Sequence, residues 1–393
     1  MKFFLYFEIS GNFFSKYCIL EAVKQLALFN MVVHTLTFMG VLYEKVMRPI
    51  LFTQDPEKVH ERAVTALDLL GRSSISCKFM ERFTRLNNAK PVDVFGLTFP
   101  NMVGLAAGMD KNAQFWRAAS ALGFGHVEIG TVTNLKQPGN PKPRLFRYPK
   151  EKAILNRMGF NNLGAETIAN NLKKAGAGNK NRIPLGINIG KSKVVQLDKA
   201  VEDYLASFNL LADYADYITI NVSSPNTPEL RKLQGKDYLG NLLKALYDAN
   251  IHRSKKLGTQ KVPMLLKIAP DLTYAEIDSI LESLYEHSFD GIVATNTTIE
   301  RPGAFASVDK AGGLSGLPLQ RRSREVVNYI YRKTEGKLPI IGVGGIMDER
   351  SAGEMVDAGA SLVQIYTGFI YGGPFYAKRI AQALQPRHST NFF

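Results

Sequence analysis

The sequence is poor in cysteine and in acidic residues, and it lacks a long uninterrupted apolar run. Two cysteines among 393 residues, Cys18 and Cys77, exclude a disulfide scaffold, and neither has metal-ligand spacing. Thirty-five Asp and Glu against 49 Lys and Arg leave a net charge of +14, which favours anionic surroundings. No zinc finger or other nucleic-acid motif accompanies that charge, so neither a metal nor a nucleic-acid partner is expected. With 45% hydrophobic and 21% charged residues, the composition is that of a globular protein.

Residues 1–30 are apolar and aromatic but interrupted by charge. Glu8, Lys16, Glu21 and Lys24 break every stretch before it reaches the roughly 18 to 20 residues that cross a bilayer. The short apolar run also ends without a small-x-small cleavage site, so a signal peptide is not expected. We therefore interpret residues 1–30 as an extension whose role the pattern does not define.

Residues 31–90 carry the period of amphipathic helices. Apolar residues from Val32 to Ile50 recur in steps of three and four, which predicts one helix. Asp55 and Pro56 mark the start of a second helix that ends near Gly71. Two interpretations of this helical hairpin stay open, because its apolar side fits packing on the main domain as well as contact with a membrane or a lipid-soluble ligand.

After a polar linker, short apolar strands alternate with segments of helical length. The eight predicted strands are Met102–Ala106, Val127–Gly130, Leu185–Ile189, Tyr217–Val222, Met264–Ile268, Gly291–Ala294, Ile340–Val343 and Leu362–Ile365. Near-continuous apolar runs of this kind are typical of strands covered on both faces. Eight βα units predict an α/β fold, a TIM (β/α)8 barrel over residues 91–385 with a tail at 386–393. A doubly wound open sheet is the competing architecture, but it usually has fewer strands.

The residues after each strand indicate the chemistry, because a barrel gathers its active site at the carboxyl ends of its strands. Asparagines, hydroxyls and the lysines Lys111 and Lys267 converge there, without a carboxylate pair or a histidine cluster. This excludes two-carboxylate glycoside hydrolysis and zinc chemistry. Amides suit a planar heterocycle, and glycine-rich turns after the last two strands suit a phosphate. Each feature alone also has a structural explanation, since Ser224 fits a turn and the glycines fit tight bends.

Five segments then carry a family resemblance: 101–111 (NMVGLAAGMDK), 138–146 (PGNPKPRLF), 156–162 (NRMGFNN), 221–226 (NVSSPN) and 342–346 (GVGGI). They resemble the class 2 dihydroorotate dehydrogenases, which are membrane-associated and quinone-dependent. The resemblance covers about residues 31–385. It implies an FMN-containing barrel that oxidises dihydroorotate to orotate in pyrimidine biosynthesis and passes electrons to a quinone.

The resemblance also implies roles for individual residues. The implied FMN contacts are Ala106, Ala107, Gly108, Thr131, Asn188, Asn221, Lys267, Thr295, Gly316, Gly345, Tyr366 and Thr367. The implied substrate contacts are Lys111, Asn156, Arg157, Met158, Gly159, Phe160, Asn221, Asn226, Asn296 and Thr297. Ser224 falls where class 2 enzymes keep their catalytic base, whereas class 1 soluble enzymes have cysteine there.

Under the same resemblance, the helical hairpin at 36–70 forms a quinone entrance at the bilayer surface, and residues 225–238 form a lid. The protein is then expected to be a monomer held peripherally on the cytoplasmic face of the inner membrane. Two rival functions are an FMN dehydrogenase with a soluble acceptor such as fumarate or NAD, and a barrel that binds flavin without turnover. Ser224 in place of cysteine disfavours the first, and a positioned base with Lys111 disfavours the second.

Overall fold

The computed structural model describes residues 40–86, 89–178, 183–227 and 229–385. The predicted extension at 1–30, the start of the first predicted helix and the tail at 386–393 lie outside the described residues. The predicted division between the helical hairpin and the barrel near residue 90 stays a prediction.

Eight parallel strands close into a barrel. Thirteen strands, inside and outside the barrel, occur along the described part of the chain: β1 Val92–Val94, β2 Leu97–Phe99, β3 Val103–Leu105, β4 His126–Val132, β5 Leu145–Tyr148, β6 Ala153–Asn156, β7 Leu185–Ile189, β8 Tyr217–Asn221, β9 Met264–Ile268, β10 Gly291–Ala294, β11 Gly313–Gly316, β12 Ile340–Val343 and β13 Leu362–Ile365. The barrel order is β3-β4-β7-β8-β9-β10-β12-β13, closing back on β3. The predicted TIM barrel is therefore confirmed, strand by strand, and an open sheet is excluded.

The barrel strands form where the sequence is apolar on both faces. All seven residues of β4 and all five residues of β7, β8 and β9 are buried. Helices cover the outer faces while side chains fill the interior, so these strands lack the alternation of a half-exposed sheet. One continuous apolar core results. Because all eight strands run parallel, their carboxyl ends lie at the same mouth of the barrel.

In the described part of the chain, three α-helices precede the barrel strands, and the later ones surround the barrel. They are α1 Arg48–Phe52, α2 Pro56–Arg72, α3 Ser74–Thr84, α4 Trp116–Ala121, α5 Ala165–Lys174, α6 Ala200–Leu211, α7 Lys236–Leu257, α8 Tyr274–Glu286, α9 Gln320–Lys333, α10 Glu349–Asp357, α11 Thr367–Gly372 and α12 Tyr376–Leu384. Thr273 before α8 and Asp348 before α10 form capping boxes, in which the cap and the third helical residue satisfy each other's backbone N–H groups.

Five short strands lie outside the barrel. β1 and β2 form an antiparallel hairpin, and β5, β6 and β11 form an antiparallel sheet in which β6 is central. β6 ends at Asn156, and β11 ends at Gly316, so this small sheet brings predicted site residues to the mouth. The sequence pattern did not predict these strands, because most of them lack the continuous apolar run of a strand that is buried on both faces.

The N-terminal helices, which we define as residues 43–84, comprise a π-helical turn at Tyr43–Met47 followed by α1, α2 and α3. The predicted start of α2 is observed, since Asp55 accepts a hydrogen bond of 2.8 Å from the Lys58 backbone N–H. The structure adds α3, capped by Ser73, to the two helices that the sequence predicted. Over the described residues, none of these helices is both long and apolar enough to span a membrane.

Candidate active site

A pocket opens at the carboxyl ends of the barrel strands. Its wall includes most of the residues that the sequence predicted. The predicted residues on the wall are Ala106, Ala107, Gly108, Lys111, Thr131, Asn156, Met158, Gly159, Phe160, Asn221, Ser224, Asn226, Lys267, Thr295, Asn296, Thr297, Gly316, Gly345, Tyr366 and Thr367. Residues from distant parts of the chain therefore meet in one cavity at the mouth of the barrel.

Two predicted residues lie off this wall. Asn188 is buried inside the barrel, where its side-chain oxygen accepts hydrogen bonds from Thr131 Oγ1 at 2.6 Å and Asn221 Nδ2 at 3.2 Å. Arg157 instead donates to the Pro143 carbonyl at 2.9 Å and lies over the Phe146 ring. Asn188 thus reaches the pocket through its partners, whereas Arg157 lines a separate, shallower depression beside the mouth.

Several pocket residues were not among the individually predicted cofactor and substrate contacts, although some lie in the predicted glycine-rich turns or lid. They are Pro225, Ser315, Leu319, Val343, Gly344, Ile346, Met347, Gln364, Ile365 and Gly368. Gly344, Ile346 and Met347 follow the glycine-rich end of β12, and Gly368 follows Thr367, so their positions at strand ends were available as a signal. Gln364 gave another signal, because a glutamine within an apolar strand needs a buried hydrogen-bond partner.

Asn188, Asn221 and Asn296 form a hydrogen-bonded row, which we call the asparagine row; Asn221 and Asn296 line the pocket, and Asn188 lies behind its wall. Asn221 Nδ2 donates to Thr131 Oγ1 at 3.0 Å, and Asn221 Oδ1 accepts from Ser223 Oγ at 3.0 Å. Asn296 Nδ2 donates to Ser223 Oγ at 2.9 Å. Neutral donors and acceptors held in this way match the C=O and N–H groups of a planar heterocycle.

Ser224 lies on the pocket wall in the loop after β8 and is 5% exposed. Its Oγ accepts a hydrogen bond of 3.2 Å from the Asn226 backbone N–H. Asn226 Nδ2 in turn donates to Asn156 Oδ1 at 3.2 Å, which ties this loop to the end of β6. Ser224 therefore makes a local turn and also lines the pocket, so the structural and the functional interpretations of this residue do not exclude each other.

Lys111 is positioned by a loop that a buried carboxylate orders. Asp110 accepts backbone N–H groups of Gln114 at 2.8 Å and Phe115 at 2.9 Å. Burial lowers the pKa of Lys111 to about 8, although the Glu57 carboxylate opposes this effect. Burial and the nearby Lys111 charge lower the pKa of His60 to about 3. Helix α2, which carries Glu57 and His60, therefore packs close to the pocket's lysine.

Lys267 extends from β9 towards the pocket wall. Burial lowers its pKa, and the carboxylate of Glu128, with Oε1 3.9 Å from Lys267 Nζ, opposes that shift. A lysine buried against a single carboxylate is a localised positive charge beside the cavity.

The glycine-rich turn after β12 is held against the start of α9. Gly344 and Gly345 have φ of +116° and +72°, and a Cβ atom at either position would clash with Ser323 or Gln320. Across the pocket, the hydroxyls of Ser315 and Thr367 are 2.9 Å apart. Only glycine allows this close turn, and its exposed backbone together with the two hydroxyls is the kind of donor set that binds a phosphate.

The comparisons with known proteins agree with this geometry. The family description "Dihydroorotate dehydrogenase" matches residues 90–387. The chain belongs to the dihydroorotate dehydrogenase family. Family membership implies a flavin cofactor in general, and the resemblance expected from the sequence motifs is confirmed.

Curated relatives specify the class within this family. A dihydroorotate dehydrogenase (quinone) of Gloeobacter violaceus is 48% identical over 349 residues, covering 89% of this chain and 96% of the relative. Another, from Idiomarina loihiensis, is 47% identical and covers 86% and 99% of the two chains. A crystal structure of DHODH from Eimeria tenella in complex with ferulenol has a TM-score of 0.77 at 35% identity, covering 89% and 94%. The predicted quinone-dependent class of enzyme is therefore confirmed.

Proposed function

We propose that the protein oxidises (S)-dihydroorotate to orotate in pyrimidine biosynthesis, with FMN as the hydride acceptor and a membrane quinone as the final electron acceptor. The observation that carries this proposal is the presence of Ser224, Lys111, Lys267, Asn221 and Asn296 in one pocket. A base, a cation for a carboxylate, a cation for the cofactor and planar amide recognition are the four elements that this reaction needs.

The residues of the pocket fit FMN in chemistry. The Gly344–Gly345 turn and the hydroxyls of Ser315 and Thr367 suit its phosphate. Thr131, Asn221 and Lys267 suit the polar edge of its ring system. When bound there, FMN would supply the acceptor for the substrate hydride.

Ser224 is proposed as the base that takes the proton from C5 of dihydroorotate. A serine hydroxyl is a weak base at neutral pH, so its own proton must leave as it accepts another. The Asn226 N–H bond to Ser224 Oγ favours the charge that develops on this oxygen. Burial of Ser224 excludes water, which strengthens this bond.

Substrate recognition is proposed for residues of the same pocket. Lys111 is placed to offset the substrate carboxylate, and Asn156, Asn226 and Asn296 provide donors and acceptors for the ring amides. The proposed contacts of Arg157 and Asn188 are indirect, since neither side chain lines the pocket. The lid proposed for residues 225–238 begins with Pro225, which contacts the cavity, and includes the short helical turn Leu230–Gln234.

The N-terminal helices are proposed to meet the membrane and admit the quinone. Their described part exposes large apolar side chains, including Ile50, Leu69, Ile75 and Phe79. Apolar residues on short amphipathic helices, together with a net charge of +14, suit peripheral binding to an anionic leaflet. We propose a monomer on the cytoplasmic face of the inner membrane.

The experiment is dihydroorotate oxidation by the detergent-purified protein, with a short-chain quinone, fumarate or NAD as the only acceptor in parallel reactions. We expect turnover with the quinone alone. Turnover with fumarate or NAD and none with quinone would contradict the acceptor assignment. If dihydroorotate leaves the flavin absorbance unchanged without oxygen, the substrate assignment fails.

A further inference from the structure

Inside the barrel, behind the pocket wall, a fully buried carboxylate collects hydrogen bonds from several strands. Glu128 on β4 accepts from Asn188 Nδ2 at 2.9 Å on its Oε1. On its Oε2 it accepts from Thr219 Oγ1 at 3.0 Å, Gln364 Nε2 at 3.0 Å and Tyr217 OH at 3.4 Å. We call these five residues and Lys267 the Glu128 cluster. Its members come from β4, β7, β8, β9 and β13.

The proposed reaction does not use Glu128 directly, because Glu128 does not line the pocket. Burying a carboxylate is costly unless it is paired and fully hydrogen-bonded. Four donors and the ammonium group of Lys267 satisfy that requirement here. Burial and Glu128 both raise the pKa of Tyr217, so the phenol stays a neutral donor to the carboxylate.

The carboxylate determines which way two neighbouring amides point. An ionised carboxylate only accepts hydrogen bonds, so Asn188 and Gln364 must turn their NH2 groups towards it. Asn188 Oδ1 is therefore left to accept from Thr131 and Asn221, both of which line the pocket. Glu128 therefore determines which side-chain atoms donate and which accept in the asparagine row.

Gln364 shows the same effect on the pocket wall itself. Its Nε2 is committed to Glu128 and Tyr217, at 3.0 Å and 3.3 Å. Its Oε1 is buried and has no hydrogen-bond partner among the described residues. A buried carbonyl oxygen without a donor fits a ligand that brings an N–H group, and the oxidised flavin ring carries one.

We propose that Glu128 is a positioning residue for the cofactor: it keeps Lys267 charged and presents Asn188 and Gln364 in the orientation that the flavin ring requires. The inference rests on the proposed function, because it takes the ligand of the pocket to be FMN. Gln364 Oε1 then accepts the ring N–H. Burial lowers the pKa of Lys267 and Glu128 opposes the shift, which agrees with the first of these roles.

The test compares Glu128→Gln with Thr219→Val in the full-length holoprotein. Glu128→Gln keeps the shape but replaces one acceptor oxygen with a donor, so one side of the cluster loses its partner. Thr219→Val removes a hydrogen bond to the same carboxylate, at a residue outside the pocket wall, and keeps the charge. The readouts are the dissociation constant of FMN, the midpoint potential of the bound flavin and the melting temperature.

We expect Glu128→Gln to weaken FMN binding by about tenfold and to shift the midpoint potential, since a buried group left unpaired costs about that factor. Thr219→Val is expected to lower the melting temperature while leaving both flavin readouts near wild type. The inference is overturned if Glu128→Gln leaves either flavin readout unchanged, or if Thr219→Val moves both as far.

Gln364→Leu provides a second route if Glu128→Gln does not fold. It removes the proposed acceptor for the ring N–H, and we expect about tenfold weaker FMN binding than in Thr219→Val. Binding within about twofold of that control would overturn the inference. Failure of the wild-type protein to bind FMN would instead contradict the proposed function, so the two failures are distinguishable.

Discussion

The barrel and the N-terminal helices use apolar residues in opposite ways. The barrel strands bury theirs on both faces, and every residue of β12 and β13 is inaccessible or nearly so. The N-terminal helices leave Ile75 79% exposed and Phe79 66% exposed, although both are large apolar side chains. Exposed apolar patches of this kind mark interaction surfaces, so the barrel's apolar residues stabilise the fold and those of the helices are available for another contact.

Polar contacts hold the two regions together. Glu57 on α2 forms a buried ion pair with Arg144 at 2.7 Å, and Tyr43 OH donates to the Ile370 carbonyl at 2.7 Å. Arg48 donates to the Tyr371 carbonyl at 2.8 Å. The helices are therefore anchored to the barrel by directional bonds and by Val64, which belongs to the core, while Ile75 and Phe79 face outwards. This difference suggests that the barrel carries the dihydroorotate half of the reaction and the helices carry the quinone half.

The largest expected effect concerns the barrel half alone. Ser224→Ala removes the proposed base, and we expect dihydroorotate-driven bleaching of the flavin to slow by about 10²–10⁴-fold. Anaerobic stopped-flow measurement of the flavin absorbance checks this rate. Ser223→Ala, one residue away and bonded to Asn221 and Asn296, is the matched control and should slow it much less. Equal slowing in both variants would remove the special role of Ser224.

A smaller effect is expected from the charge of Lys111, which also belongs to the dihydroorotate half of the reaction. Lys111→Met is expected to lower kcat/KM for dihydroorotate by about 10–100-fold, the usual value of a charged hydrogen bond. Because burial lowers the pKa of Lys111 to about 8, its positive charge is present below that pH and is lost above it. In the wild type, kcat/KM should therefore fall as pH rises through about 8, and this fall should be absent from Lys111→Met. The control Lys193→Met, which removes a cation outside the pocket, should retain this fall in kcat/KM.

The exposed apolar residues provide the test of the helical half. In the double variant Ile75→Ser and Phe79→Ser, we expect binding to anionic lipid vesicles to weaken by about tenfold, since shallow insertion into the headgroup region buries each side chain only in part and so yields a fraction of the roughly 1.5–3 kcal/mol of full burial. Co-sedimentation with vesicles measures this affinity. Leu257→Ser with Tyr285→Ser changes two exposed apolar residues of barrel helices and should bind normally. Equal loss in both double variants would argue against a defined docking face.

The smallest expected effect concerns the junction between the regions. Burial would raise the pKa of Glu57, but the hydrogen bond and charge of Arg144 outweigh it and the pKa is lowered. Stability from this pair is therefore present above a pH of 4.5 and is lost as the pH falls through the lowered value. Glu57→Gln should lower the free energy of unfolding by about 1 kcal/mol at neutral pH, because Arg144 keeps its hydrogen bonds to the carbonyls of Pro138 and Asn140. Thermal unfolding should show the difference from wild type shrinking on acidification; a constant difference would contradict the ion-pair explanation.

The sequence predicted the barrel better than its surroundings, for physical reasons. Strands buried on both faces leave continuous apolar runs, so all eight could be located. In the sheet of β5, β6 and β11, the strands β6 and β11 pair residues more than 150 positions apart, such as Asn156 and Gly313, and these short strands have no periodic signal. Helix α3 was missed because its apolar residues do not form one buried stripe, since Ile75 and Phe79 face outwards.

The candidate site was predictable where residues follow strands, and less so where they act from inside the barrel. Lys267 was noticed because a lysine in an apolar strand needs a partner. The partner, Glu128, lies on β4 and meets Lys267 only when the barrel closes. A single sequence does not reveal that pairing, nor that Asn188 turns away from the pocket wall to contact Glu128.

The most direct test of the division between the two regions measures both half-reactions separately in the same proteins on vesicles. Dihydroorotate-driven bleaching of the flavin reports the barrel, and recovery of its colour with a long-chain quinone reports the helices. We predict that Ser224→Ala slows only the bleaching and that the Ile75→Ser and Phe79→Ser double variant slows only the recovery. Slowing of both half-reactions by either protein would contradict the division.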